Sequence, residues 1–174
     1  KKQPDGYYHL ENVIGPDEYH EKVSDNAFTN YMAKETVDLA IEMMARFPDR
    51  FPDSSLSERL LDFQRRLYLP KPNEEGLIEQ FQGYFDLEDV RVLDLAKRLT
   101  SDKQYWGQIA SSTRVIKQAD VAALLSLIPD VFPLGVKKAN FDFYLPYTEH
   151  GSSLSSSMYA LLGLACDDVE GSYA

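Results

Sequence analysis

Apolar residues return at three- and four-residue steps in several separate segments of this chain, and this spacing limits the fold more than any other feature. The clearest example covers residues 28–47, follows a capping residue at Asp25 or Asn26, and is stopped by Pro48. Alternation at two-residue steps, which would indicate β-strands, is scarce. The pattern therefore predicts an all-α protein.

Further helices are predicted from the same spacing. Ser55 and Glu58 form a capping-box pattern at the head of a second helix, which Pro70 ends. Five or six helices joined by long connections are typical of an all-α array or a toroid of helical hairpins. The predicted loops and connections cover residues 1–14, 69–86 and 103–113, and the remaining helices are predicted over residues 89–99, 115–128, 136–144 and 153–166.

Charge and composition argue against several classes of partner. The 28 Asp and Glu residues outnumber the 18 Lys and Arg residues, and the formal charge of -10 repels a phosphodiester backbone. No run approaches the roughly 18 apolar residues of a membrane helix. The single Cys166 excludes an internal disulfide framework. We therefore expect one cytoplasmic domain without nucleic-acid or membrane partners, in which an anionic substrate would need a local basic pocket.

A dense group of ionisable residues follows a Gly-Pro turn at residues 15–21, with the sequence GPDEYHE. A loop anchored just before a helix suits a catalytic carboxylate. An acidic turn leading into a helix is the alternative, because Asp and Glu are favoured near a helix N-terminus. The residues by themselves favour this alternative.

A second candidate site lies at the head of the last predicted helix. Gly151 would let the backbone approach a ligand, and Ser152 and Ser153 would place two hydroxyls beside free helical N–H groups. His150 could add a donor or a charge. An ordinary serine cap beside a solvated histidine explains the same residues equally well, so both interpretations stay open.

Metal chemistry and a serine nucleophile have little support in the sequence. His9, His20 and His150 stand alone, without HxxxH or HExxH spacing, and no cysteine pair occurs. The chain also lacks the GxSxG motif of a nucleophilic serine. We therefore predict no metal site.

Five motifs occur in a fixed order: GPDEYHE at 15–21, DNAFTNY at 25–31, GLIEQF at 76–81, VIKQAD at 115–120 and HGSSLS at 150–155. Together they resemble glycoside hydrolase family 65, whose members are mostly inverting phosphorylases of maltose, trehalose, kojibiose or nigerose. The first and last motifs are most similar to the kojibiose-phosphorylase branch. The resemblance covers nearly the whole chain.

The resemblance implies the later part of an (α/α)6 barrel. In the family this catalytic domain follows a large β-sandwich and precedes a small β-domain. The chain starts at Lys1 without a Met, so we expect a partial catalytic domain from a larger multidomain enzyme. An incomplete toroid would leave apolar helix faces open.

The resemblance also implies roles for individual residues. The reaction would be phosphorolysis of an α-linked glucose disaccharide with inversion, giving β-glucose 1-phosphate and a sugar. Its partners would be the disaccharide and inorganic phosphate as co-substrate, with no other cofactor, and we expect the parent to be a homodimer. Glu18 matches the general acid; Lys117, His150, Ser152 and Ser153 match phosphate-binding residues; and Lys117, Gln118, Glu79 and Gln80 match substrate-binding residues.

Two alternatives stay open. A trehalose or kojibiose hydrolase of the same family would use a protein carboxylate as base where phosphate otherwise acts. Gln118, which is not a carboxylate, stands at one plausible place for that base and favours the phosphorylase. A helical interaction module without catalysis is the second alternative, and we expect the isolated chain to have almost no activity.

Overall fold

The longest helix of the chain begins where the side chain of Asn26 can cap it. In the computed structural model, which describes residues 2–52, 54–98 and 106–167, Asn26 Oδ1 accepts a hydrogen bond of 2.9 Å from Thr29 N–H. This helix, α1, spans Ala27–Arg46 and is followed by Pro48, whose ring cannot continue it. Both predicted ends of the helix are confirmed.

Six further helices follow, and no strand occurs among the described residues, so the predicted all-α class is confirmed. Isolated β-bridges join a few loop residues. No helix in this part of the chain is long and apolar enough to cross a membrane. The helices are α2 (Ser54–Arg66), α3 (Val92–Arg98), α4 (Trp106–Ala110), α5 (Val121–Leu127), α6 (Leu134–Tyr144) and α7 (Ser153–Ala165).

The largest departure from the predicted helices lies at residues 115–120. The sequence predicts a helix from residue 115, but α5 begins only at Val121. The carbonyl groups of Ile116 and Lys117 accept hydrogen bonds of 2.9 and 2.8 Å from the N–H groups of Glu149 and Gly151. These long-range bonds hold residues 115–120 in a bent, non-helical conformation, so Lys117 does not open a helix.

Smaller corrections concern helix ends. Ser55 lies inside the first turn of α2, so the predicted capping box is wrong: an N-cap residue precedes the helix. The predicted connection at 103–113 contains α4, and its residues 103–105 lie outside the described part. The helix predicted over 89–99 starts at Val92, and its last predicted residue, Leu99, also lies outside the described part.

The core forms around α5, which lies against α1, α6 and α7. Five successive residues of α5, from Val121 to Leu125, are buried, as expected for a helix that is apolar on all sides. The connection at 69–86 also enters this core through Ile78 and Tyr84. Since Tyr144 on α6 donates a hydrogen bond of 2.6 Å to Ile78 O, the buried connection keeps its backbone paired.

Candidate active site

The loop at residues 15–23, called the acid loop below, carries two adjacent carboxylates in opposite environments. Val13 and Val23 close its base through two backbone hydrogen bonds of 3.0 Å. Asp17 points inward and is 1% exposed, whereas the side chain of Glu18 is 56% exposed. Of the two, Glu18 is the carboxylate that a ligand from solvent can reach.

Asp17 accepts hydrogen bonds from four different groups of the protein. Its Oδ1 accepts from the backbone N–H groups of Tyr19 at 3.1 Å and Lys117 at 2.9 Å. Its Oδ2 accepts from Gln80 Nε2 at 3.0 Å and lies 2.5 Å from His20 Nδ1. A carboxylate has about four acceptor positions, so Asp17 is fully used within the protein. These contacts fix the acid loop to the segments that carry Gln80 and Lys117.

A second buried carboxyl group, Asp120, lies next to Asp17. Asn26 Nδ2 donates to both oxygens of Asp120 at 3.1 and 3.0 Å, and Asp17 N–H donates to its Oδ2 at 3.3 Å. Complete burial and then the charge of Asp17 raise the pKa of Asp120 to about 8. With this pKa, Asp120 is mostly protonated at neutral pH.

Gly15 packs closely against the same group of residues. A Cβ atom on Gly15 would lie 2.3 Å from Asn26 Nδ2, so glycine is required there.

The non-helical segment at Lys117 brings predicted anion-binding residues to the acid loop. Ile116 N–H donates to Tyr147 O at 2.9 Å, and Gly151 N–H donates to Lys117 O at 2.8 Å. Lys117 Nζ reaches Glu18 Oε2 and forms an ion pair with it. The predicted acid and the predicted cation are therefore in direct contact.

Tyr19 and Glu149 form a second link, between the acid loop and the loop before α7. The sequence did not predict this link. The Tyr19 hydroxyl donates a hydrogen bond to Glu149 Oε2. Glu149 N–H is bonded in turn to Ile116 O. The acid loop is thus joined to the loop before α7 through a side chain as well as through Lys117.

His150 lies in a partly buried position and has a protein partner. Its Nδ1 is 3.0 Å from Ser155 Oγ, which also accepts a hydrogen bond of 2.9 Å from Ala119 N–H. Burial lowers the pKa of His150. At neutral pH its imidazole is therefore a neutral hydrogen-bonding group, and any positive charge at this site must come from Lys117 or another residue.

The two predicted phosphate-binding serines differ in their placement. Ser152 is the N-cap of α7, and its Oγ accepts from Leu154 N–H at 3.4 Å. Ser153 is the first residue of the helix and is exposed. The cap geometry of the alternative interpretation is thus present at Ser152, and phosphate binding by the pair stays a prediction.

The other predicted substrate-binding residues occupy different positions. Gln80 Oε1 and Gln118 Oε1 are buried, without a hydrogen-bond partner among the described residues. Glu79 Oε1 accepts from the N–H groups of Gly83 at 3.1 Å and Phe85 at 3.2 Å, which stabilises the turn between them. Substrate contact by these three side chains also stays a prediction.

Glu79 also lines a cavity of about 190 Å³ together with His9, Asp25 and Tyr68. His9 Nδ1 lies 2.5 Å from Asp25 Oδ2, and its Nε2 lies 2.9 Å from Asp5 Oδ2. The hydrogen bond with Asp25 is the largest cause of a raised pKa for His9. Its ring stacks on Tyr68 with centroids 4.9 Å apart. His9 thus ties the N-terminal segment to two carboxylates, Asp5 and Asp25.

Comparison with known proteins identifies the class to which this site belongs. The model of the glycosyl hydrolase family 65 central catalytic domain matches residues 1–174. The chain therefore belongs to glycoside hydrolase family 65, as its motifs predict.

Individual relatives are disaccharide phosphorylases and similar enzymes. The chain is 43% identical to a nigerose phosphorylase of Lachnoclostridium phytofermentans over 99% of its length and 25% of that protein. It is 37% identical to a 1,2-alpha-glucosylglycerol phosphorylase of Bacillus selenitireducens, over 97% of the chain and 24% of that protein. It is 36% identical to a kojibiose phosphorylase of Caldanaerobacter subterraneus, over 95% of the chain and 23% of that protein. The chain thus spans about a quarter of these relatives.

A solved structure shares the fold. It is a human-microbiome protein described as a kojibiose phosphorylase, which matches all of this chain and 26% of its own length with a TM-score of 0.84. Its sequence identity of 24% limits this comparison to the fold. The helical arrangement found here is therefore also present in a solved structure.

Proposed function

We propose that the full-length protein phosphorolyses an α-linked glucose disaccharide with inversion, giving β-glucose 1-phosphate and a free sugar. The observation that carries this proposal is the contact between Glu18 and Lys117 beside the loop that holds His150 and Ser152. It places an accessible carboxyl group next to a cation and a helix N-terminus. Acid catalysis and anion binding can therefore occur side by side.

The proposed reaction uses Glu18 as the general acid. The bond between the anomeric carbon and the glycosidic oxygen breaks, and Glu18 gives its proton to that oxygen. A phosphate oxygen attacks the anomeric carbon from the opposite face, which inverts its configuration.

Lys117 would hold the phosphate, assisted by Ser152, Ser153 and His150. Lys117 Nζ is paired with Glu18 Oε2. Bound phosphate offers Lys117 a doubly charged partner with several acceptor oxygens. Lys117 can therefore turn from the acid to the nucleophile when phosphate enters.

The test uses the full-length protein with nigerose, kojibiose, glucosylglycerol, maltose and trehalose, each with and without phosphate. Formation of β-glucose 1-phosphate that requires phosphate is the expected result. Release of glucose at the same rate without phosphate would reject the proposal in favour of a hydrolase. The panel also identifies the acceptor, which the relatives' different substrates leave undecided.

We further propose that the chain forms part of a larger (α/α)6-barrel domain in a homodimeric, multidomain enzyme. Its span of about a quarter of the relatives supports the larger, multidomain enzyme. Three exposed leucines at positions 154, 161 and 164 lie along one side of α7, where a neighbouring element could cover them. The isolated chain should therefore show almost no turnover compared with the full-length protein.

A further inference from the structure

Two residues of the acid loop close to Glu18 have buried side chains. Asp17 is 1% exposed and His20 is 5% exposed, and their side chains contact each other. We propose that Asp17 and His20 are positioning residues that hold Glu18 in place for proton donation. This proposal rests on the proposed function, in which Glu18 is the acid.

Hydrogen bonds to three separate segments of the chain hold the Asp17–His20 pair in place. His20 Nε2 lies 2.9 Å from the carbonyl oxygen of Thr113, which can only accept, so Nε2 carries a proton. Asp17 accepts three N–H bonds, from Tyr19, Lys117 and Gln80. The contact between Asp17 and His20 therefore joins the acid loop to residues 80, 113 and 117.

The pair can act on the reaction only through Glu18. Both oxygens of Asp17 are occupied by protein donors, and both ring nitrogens of His20 have protein partners. Neither side chain is therefore free to contact a substrate. Since the two residues stand immediately before and two positions after Glu18, their contacts fix the backbone from which the acid projects.

The same contacts set the distance between the acid and its neighbouring cation. Asp17 Oδ1 holds the backbone N–H of Lys117 at 2.9 Å, while the Lys117 side chain reaches Glu18. Release of Asp17 would let the acid loop and the Lys117 segment move relative to each other. Displacement of a catalytic group by about 1 Å can cost about 10²-fold in rate.

Two substitutions of His20 by neutral amides each keep one of its two hydrogen bonds and remove the other. His20→Gln keeps a donor near the Nε2 position for Thr113 but loses the bond to Asp17. His20→Asn keeps a donor near the Nδ1 position for Asp17 but loses the bond to Thr113. If the contact with Asp17 positions Glu18, the Gln variant must be the more impaired of the two.

A comparison of two substrates distinguishes a misplaced acid from a general loss of structure. A disaccharide needs a proton on its leaving oxygen, whereas α-glucosyl fluoride loses fluoride as a stable anion when a phosphate oxygen bonds to the anomeric carbon. Misplacement of an acid therefore slows the disaccharide selectively, and a general loss of structure slows both substrates. Glu18→Gln is the reference variant, because it removes the acidic proton itself.

In the full-length protein, His20→Gln should lower kcat for the disaccharide by about 10²-fold and leave phosphorolysis of α-glucosyl fluoride within about threefold. His20→Asn should stay within about tenfold on both substrates. Equal losses on the two substrates, or equal losses in the two variants, would overturn the proposal. If Glu18→Gln itself keeps full disaccharide activity, the assignment of the acid has failed, and the positioning role fails with it.

Gln80→Met provides the test if His20→Gln does not fold. It removes the amide donor to Asp17 Oδ2 without changing charge, and it deletes a buried amide oxygen that has no partner among the described residues. We expect the same selective loss on the disaccharide, at about tenfold. A loss confined to KM on both substrates would instead indicate that Gln80 binds the sugar, and the proposal would be wrong.

Discussion

Asp17 and Glu18 are neighbours in the sequence and carry the same functional group, yet their environments differ completely. Asp17 is buried with four donors around it, while Glu18 is exposed beside Lys117. The buried carboxylate is committed to structure, and the exposed one is available for chemistry. The difference shows that a dense ionisable motif can contain both a scaffold and a reactive group.

The largest expected effect distinguishes the two carboxylates by activity. Glu18→Gln keeps the size and hydrogen bonding of the side chain but removes its acidic proton, so kcat should fall by about 10²–10⁴-fold. Because Glu18 is exposed, thermal unfolding should remain unchanged. Steady-state kinetics and a melting curve of the same full-length variant provide the check. A variant that keeps most of its activity on an ordinary disaccharide would contradict the assignment.

The next largest expected effect distinguishes Asp17 from Glu18 by the stability of the folded protein. Asp17→Ala leaves the groups that Asp17 binds without their partner, and each unsatisfied buried polar group costs about 1–3 kcal/mol. Glu18→Ala is the matched control, and it should stay within about 0.5 kcal/mol. The melting temperatures of the two full-length variants test the comparison, and similar values would show that the buried pair does not stabilise this region.

A third prediction concerns Asp120, whose pKa of about 8 in the folded protein lies above its ordinary value of 3.8. Between these values the folded state holds a proton that the unfolded state has lost. Stability should therefore fall as the pH rises through this window, by up to about 1.4 kcal/mol per pH unit. Asp120→Asn has no such proton, so its stability should depend less on pH. Parallel pH profiles of the melting temperature in both proteins would contradict this prediction.

Helices with local signals could be predicted from the sequence. For α1, the apolar spacing, the Asn26 cap and Pro48 all lie within the helix or next to it, and both ends are confirmed. The segment at 115–120 has apolar residues at helical spacing, but its backbone is bonded to residues 147–151. Such long-range bonds leave no local mark in the sequence, so the predicted helix began six residues too early.

In the candidate active site, too, contacts between residues far apart in the chain could not be predicted from the sequence. The motifs that contain Glu18 and Lys117 are recognisable because they resemble those of a family, and the structure places these two side chains in contact. The roles of Asp17 and His20 depend on partners far along the chain, at Gln80 and Thr113. Residue type by itself gives a carboxylate and an imidazole, and only the fold shows that they are buried.

The smallest expected effect concerns Ser152 and Ser153 and compares a phosphate site with an ordinary helix cap. If both hydroxyls hold phosphate, replacing both with Ala should raise the phosphate KM at least about tenfold, because a hydrogen bond to a charged group contributes roughly 1.5–3 kcal/mol. A cap alone predicts a loss of about 1 kcal/mol in stability and an unchanged phosphate KM. The observed bond from Leu154 N–H to Ser152 Oγ makes some loss of stability expected in either case. The phosphate KM is therefore the deciding measurement, and an unaltered value in a destabilised double variant would refute the phosphate role of both serines.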